Sequence, residues 1–182
     1  MKKFLFLLFA LLPACELSCQ ELAVSTNLVD YANYGTLNLE ASWGFARHWS
    51  AEAGVKYNPF SFGEGDDVSQ KRQRTVYAGA KYWPWHIYSG WWLAGAMRYQ
   101  EYNEGGLASP ETVEGDRVGA SIQGGYSYMI SQHFNLNLGA GVWAGRNVYR
   151  TYACPVCGRM VDNGSTFFAL PSDIILSLAY IF

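Results

Sequence analysis

Apolar residues return at every second position through most of this chain, and that period admits β-strand and little else. Leu37, Leu39, Ala41, Trp43 and Phe45 alternate with Thr36, Asn38, Glu40, Ser42 and Gly44. Trp49, Ala51, Ala53, Val55 and Tyr57 alternate with Ser50, Glu52, Gly54, Lys56 and Asn58. The pattern recurs in Val76–Tyr82, Trp91–Tyr99, Val118–Tyr128, Phe134–Val142 and Ile174–Phe182. With Leu22–Val29 as the first, about eight strands are predicted, several of them ~9–11 residues long, the span that crosses a bilayer at a tilt.

The connections between these strands alternate in length. Ala46-Arg47-His48, Pro84-Trp85-His86 and Ser131-Gln132-His133 are tight, whereas Asn58–Arg72, Glu101–Asp116 and Asn147–Leu170 are long and polar. Only Asp30–Tyr34 is brief on the long side. Short turns on one side and long loops on the other are the habit of outer-membrane barrels, with both termini at the short-turn end. The fold class expected is all-β: a single eight-stranded antiparallel up-and-down transmembrane β-barrel.

Alternation alone does not say which face meets solvent. A secreted lipocalin also has eight strands, with its apolar side chains around an internal ligand. Only 15% of the chain is charged, against about a quarter in a soluble domain, and the polar face is mostly Gly, Ser and Asn. A water-facing exterior would carry many Lys and Glu, so the polar face is assigned to the lumen. Gly54, Gly79, Gly119, Ser121, Gly125, Gly139 and Gly141 suit a narrow interior. Phe45, Trp49, Tyr82, Tyr128, Phe134, Tyr180 and Phe182 fall near short-turn strand ends, and Tyr57 and Tyr99 near the long-loop ends. Two such aromatic bands are what the interfaces of a bilayer select.

The N-terminus reads as an address. Met1-Lys2-Lys3 supplies charge and Phe4 to Leu12 is apolar, too short for a span of about 20 residues but right for a signal peptide. Residues 1–20 are therefore expected to be a signal peptide and 21–182 the barrel. Cleavage is placed after Cys19 or Gln20. Leu12-Pro13-Ala14-Cys15 partly resembles a lipobox, which would put lipid on Cys15. The last strand ends on Tyr180 and Phe182, similar to the C-terminal signal by which the barrel assembly machinery recognises its clients.

Thr26-Asn27-Leu28, Arg47-His48-Trp49-Ser50, Tyr57-Asn58-Pro59-Phe60, Lys81-Tyr82-Trp83, Cys154-Pro155-Val156-Cys157-Gly158 and the final strand carry a family likeness. From Thr26 to Phe182 the chain resembles a Bacteroidetes family of small outer-membrane barrels catalogued as a domain of unknown function. The resemblance implies the fold and an outer-membrane location in a Gram-negative bacterium. It brings no activity. Some relatives are associated with fimbrial or surface-assembly genes.

Candidate chemistry is sparse. His48, His86 and His133 all lie in short turns, away from the outward loops that hold most Ser and Asp. A general base must reach its nucleophile, so a lipid- or peptide-processing enzyme is the weaker alternative, as is a lipocalin-like carrier. Cys154 and Cys157, in the longest outward loop, look like one knuckle of a zinc site without its second, and a disulfide staple suits an oxidising envelope. Metal or a free redox pair remain the other readings. No cofactor is called for. The lumen positions hold Glu40, Glu52, Lys56, Lys81, Arg98, Arg117 and Asp173, an ionic network in which Glu52 and Lys81, on neighbouring strands, could pair. Lys71, Arg72 and Arg74 are candidates to meet lipopolysaccharide phosphates, against the plainer reading of a solvated loop balanced by Glu64, Asp66 and Asp67.

A net charge of -2 gives no basic excess for nucleic acid. The function expected is a non-enzymatic outer-membrane platform presenting loops to a surface protein or to lipopolysaccharide, or a membrane subunit of a surface complex.

Overall fold

The computed structural model describes residues 22–63, 68–106, 111–153 and 159–182. The expected signal peptide, Cys15, and the Cys154–Cys157 pair lie outside the described residues. The elements run β1 (Leu22–Asn27), α1 (Leu28–Ala32), β2 (Leu37–Ala46), β3 (Trp49–Asn58), β4 (Ser61–Phe62), β5 (Ser69–Tyr82), β6 (Gly90–Gly105), β7 (Thr112–Met129), β8 (Phe134–Tyr152) and β9 (Met160–Ile181). No helix among them is long and apolar enough to cross a membrane.

All strands belong to one antiparallel sheet in which neighbours in sequence are neighbours in space. β9 returns to β1, with Ala23 opposite Ile181, and β3 meets β5, with Trp49 opposite Tyr82. Hydrogen bonding therefore runs round a ring, while the outer part of β9 from Met160 to Ile174 pairs, among the described residues, with β8 alone. The sheet has nine strands where eight are expected. The ninth is β4, a two-residue piece that resumes the pairing of β3 with β5 in the same register after a break at Pro59 and Phe60.

The period-two pattern sorts the side chains as the sequence requires. Leu39, Val55 and Leu138 are 54%, 50% and 46% exposed, while Glu52, Lys56, Lys81 and Arg98 are each below 9%. The apolar face looks outward and the ionic face looks into the ring.

Two expectations need correction. Glu101–Asp116 and Asn147–Leu170 are mostly strand, because β6, β7, β8 and β9 extend past the apolar band as paired hairpin arms. Both faces of the β8–β9 arms are largely exposed, so their sequence loses the alternation that would reveal them, although Val148 and Thr151 favour strand; in the β6–β7 arms Tyr102 and Thr112 are buried. The brief connection after β1 is also not plain loop. Asn27 caps α1 by accepting from Val29 N at 3.3 Å, and its Oδ1 also accepts from Leu176 N at 3.0 Å. That tie fixes α1 against β9 and turns Asp30 inward.

The short-turn end is closed by an apolar plug of Ala23, Trp83, Tyr88, Trp92, Ala94 and Ile181. Tyr88 enters the ring from the β5–β6 turn with a left-handed φ of 61°. Its hydroxyl donates to the Ser42 carbonyl at 3.0 Å, and its ring meets that of Trp83 edge-on at 5.6 Å. The Trp83 indole N–H donates to Ser50 Oγ at 3.0 Å. The polar ends of Tyr88 and Trp83 thus find partners, as burial demands, whereas the Trp92 indole nitrogen has no hydrogen bond among the described residues and its ring faces the Lys81 ammonium.

Candidate functional site

Above the plug, inward positions of β2, β3 and β5 bring Lys81 between two carboxylates. Lys81 Nζ is 2.9 Å from Glu52 Oε2 and 3.5 Å from Glu40 Oε1. The expected Glu52–Lys81 pair is therefore formed, and Glu40 joins it. Tyr77 Oη donates to the other Glu40 oxygen at 2.8 Å. The Lys81 ammonium also sits 4.7 Å from the centre of the Trp92 ring, so the plug supplies its apolar floor.

A second cluster lies toward the long-connection end. Lys56 Nζ contacts Asp30 at 2.8 Å and Asp173 at 2.5 Å, and Arg98 Nη2 contacts the second Asp173 oxygen at 2.7 Å. Asp173 of β9 thus divides its carboxylate between cations from β3 and β6, the two strands that flank β5 on the facing wall. Arg98 lies between the Tyr77 and Trp143 rings, 5.1 and 5.4 Å from their centres, and so links the two clusters. Signs alternate throughout, which is how buried charge is made tolerable. Asp30 was not legible as a member of this network, since it sits in a stretch expected to be a loop.

Little empty space remains between these clusters. A cavity of about 40 Å³ lined by Glu40, Tyr77, Lys81, Trp92 and Asp173 has room for about one to three waters. Toward the long-connection end the ring widens into a vestibule of about 400 Å³ with Lys56, Arg98, Trp143 and Asp173 among its lining residues. Arg117 stands apart from both clusters. It donates to Gln100 Oε1 at 3.1 Å, lies 3.8 Å from Glu104 and stacks 3.7 Å from the centre of the Tyr102 ring.

The three cations proposed for phosphate contact do not share a face. Lys71 lines the vestibule and donates to Asn33 Oδ1 at 3.0 Å, while Arg72 and Arg74 are exposed on the outside. Period two makes this unavoidable, because adjacent residues of β5 point to opposite faces. Arg72 donates to Ser61 Oγ at 3.2 Å and Arg74 lies 5.9 Å over the Tyr57 ring.

Arg74 belongs to an outward row. It stands opposite Glu101, Glu101 opposite Asp116, and Asp116 opposite Val148. Tyr99 Oη donates to Asp116 at 2.7 Å from the position just beneath. Below the row the outward residues include Val76, Met97, Val118 and Ile122 at 51%, 63%, 50% and 66% exposure, with Arg146 opposite Val118 donating to Ser165 Oγ at 2.8 Å at the band's upper edge. Above it, the Tyr152 hydroxyl donates to Glu114 at 2.6 Å, and that carboxylate holds the phenol above its ordinary pKa.

At the other end, Tyr180 and Phe182 are exposed on the outer face and stack edge-on at 4.9 Å, with Phe134 also against Tyr180. His48 donates from Nδ1 to the Trp83 carbonyl at 2.9 Å, and His133 does the same to the Ile181 carbonyl at 3.0 Å. Both histidines fasten short turns to the neighbouring strand.

A family model described as "Protein of unknown function (DUF3575)" matches residues 4–182, in keeping with the resemblance read from the sequence. No curated protein matches the chain.

Proposed function

The chain belongs to that family of proteins of unknown function, and from this premise we propose that it is an eight-stranded transmembrane β-barrel of a Gram-negative outer membrane, with β4 counted as the continuation of β3. Its role in this reading is non-enzymatic. The barrel holds its long-connection end, above all the β8–β9 hairpin, in place for a surface protein or lipopolysaccharide, or serves as the membrane subunit of a surface complex.

The observation that carries the proposal is the outward band below Arg74, Glu101 and Asp116, whose one charged residue among those described is Arg146 at the upper edge, opposite Val118. The nine residues from Arg74 to Tyr82, at a rise of ~3.3 Å and a tilt of ~40°, climb roughly 20 Å, near the ~25 Å apolar band of outer-membrane barrels. Tyr57 and Tyr99 sit at its upper edge, and Trp49, Tyr82, Phe134 and Tyr180 at its lower. Charge inside and apolar residues outside are the reverse of what a soluble carrier of apolar ligands needs. The engagement of His48 and His133 with backbone carbonyls supports structural roles for both. The plug and the small cavity favour a platform over a porin.

The full chain, tagged and expressed in a Gram-negative host, tests this by fractionation. Recovery with outer membranes, release only by detergent, and faster migration in SDS gels before boiling are expected. Release without detergent into the soluble periplasmic fraction would overturn the proposal. A partner captured from detergent extracts should be lost when the hairpin beyond Arg146 and Phe167 is replaced by a short turn. Retention of that partner would remove the loop-platform role.

A further inference from the structure

Among the described residues, four polar atoms of the vestibule's lining have no partner, the Thr75 hydroxyl, Arg98 Nε, the Trp143 indole nitrogen and the Ser172 hydroxyl, while Asp30 Oδ2 has only its ion pair with Lys56. Thr75, Arg98 and Trp143 are 2%, 4% and 4% exposed, so bulk water does not satisfy them. Buried polar groups are nearly always hydrogen-bonded, because an unmade bond costs the whole desolvation of the group. Two of the four, Arg98 Nε and the Trp143 indole, are donors only. The missing partner is therefore an acceptor.

Charge identifies it further. Lys56, Lys71, Arg98 and Arg117 line the vestibule against Asp30, Glu104 and Asp173. Both aspartates are committed to Lys56, and Asp173 also to Arg98. Lys71 contacts an amide oxygen and Arg117 is 3.8 Å from Glu104, so the positive excess lies with these two. The Trp143 ring, Leu170 and Pro171 add apolar wall. At about 400 Å³ the space falls within the ordinary range for small-molecule sites, roughly 300–1,000 Å³.

We propose that the vestibule is a binding site for a small oxoanion, a carboxylate or a phosphate. Its oxygens accept from Arg98 Nε and the Trp143 indole, with the Thr75 and Ser172 hydroxyls as further donors. Lys71 and Arg117 supply the attracting charge. The site depends on the interior of the ring and not on what surrounds it.

The test uses the full chain folded in detergent and titrated with sodium phosphate or sodium acetate at constant pH and ionic strength. The indole N–H resonance of Trp143, assigned through Trp143→Phe, is followed together with calorimetry. A saturable shift with either anion is expected, phosphate alone pointing to a phosphorylated ligand and acetate to a carboxylate. Thr75→Val and Trp143→Phe should each weaken binding by about three- to tenfold, the worth of one hydrogen bond. Arg98→Lys should weaken it by at least about tenfold, since that bond is charge-assisted. Trp91→Phe, which alters an outward indole, should leave affinity unchanged. No effect of either anion on Trp143 would mean that water alone fills the vestibule and would overturn the proposal. So would anion binding that Thr75→Val and Trp143→Phe leave intact.

Discussion

Lys56 of β3 and Asp173 of β9 meet at 2.5 Å across the interior, although β2 and β1 separate their strands in the sheet. The contact braces opposite walls of the ring. Replacing Asp173 with Asn would weaken the hold on Lys56, which keeps Asp30, and strip Arg98 of its only carboxylate among the described residues. Breaking a buried pair from one side costs about 3–5 kcal/mol. The variant should unfold at correspondingly lower urea in detergent, whereas Lys56→Met with Asp173→Leu should recover part of the loss.

Two glycines on neighbouring strands should behave in opposite ways. A Cβ on Gly95 would meet nothing within 4 Å, but one on Gly119 would lie 2.1 Å from the Ala144 carbonyl oxygen. Gly95 faces outward and Gly119 faces the interior against β8. Gly95→Ala should fold with unchanged stability. Gly119→Ala must push two strands apart, and overpacking of this kind costs about 1–3 kcal/mol. Urea midpoints of the two variants decide the matter.

The interior should not conduct. Trp83 and Trp92 seal the short-turn end, and the ionic clusters above them leave only about 40 Å³ open. In planar bilayers the native chain should give no steady single-channel current. Trp83→Ala combined with Trp92→Ala should admit small ions, at a stability cost of about 3–5 kcal/mol for each ring removed. Steady current through the native chain would show that the plug is not a seal.

Only the outward arginines should touch lipopolysaccharide. Arg72→Ala and Arg74→Ala should each weaken retention on lipopolysaccharide vesicles by about fivefold at low salt, near 1 kcal/mol per cation, and by less at high salt. Lys71→Ala should change nothing, because Lys71 faces the vestibule. An equal effect from all three would return them to a single patch.

Much of this was legible in the sequence because a half-buried strand repeats its chemistry every two residues. The orientation of Leu39, Val55 and Leu138 and the Glu52–Lys81 pair both follow from that rule. Lys71 and Arg72 were grouped against it, and the structure separates them as the rule demands. Contacts that cross the ring left no local trace, so Lys56–Asp173 and Arg98–Asp173 could be foreseen only as members of a list. Asp30 was hidden because Leu28–Ala32 is too short for a helical period to show. The plug was hidden because Trp83 and Tyr88 lie in a turn, where alternation no longer assigns a face. The outer arms of β8 and β9 read as loop because water on both sides removes the pattern.

Ile122 and Val161 supply the most direct test of the membrane assignment. Both are exposed in the isolated chain, at 66% and 57%, but Ile122 lies within the apolar band and Val161 beyond it on the β8–β9 hairpin. Each is replaced by cysteine in a chain whose four native cysteines are changed to serine, and intact outer-membrane vesicles are treated with a charged maleimide. Residue 161 should label quickly, and residue 122 should stay unlabelled until the protein is unfolded in urea. Equal labelling of the two in folded protein would mean that water, not lipid, bathes the outside of the ring.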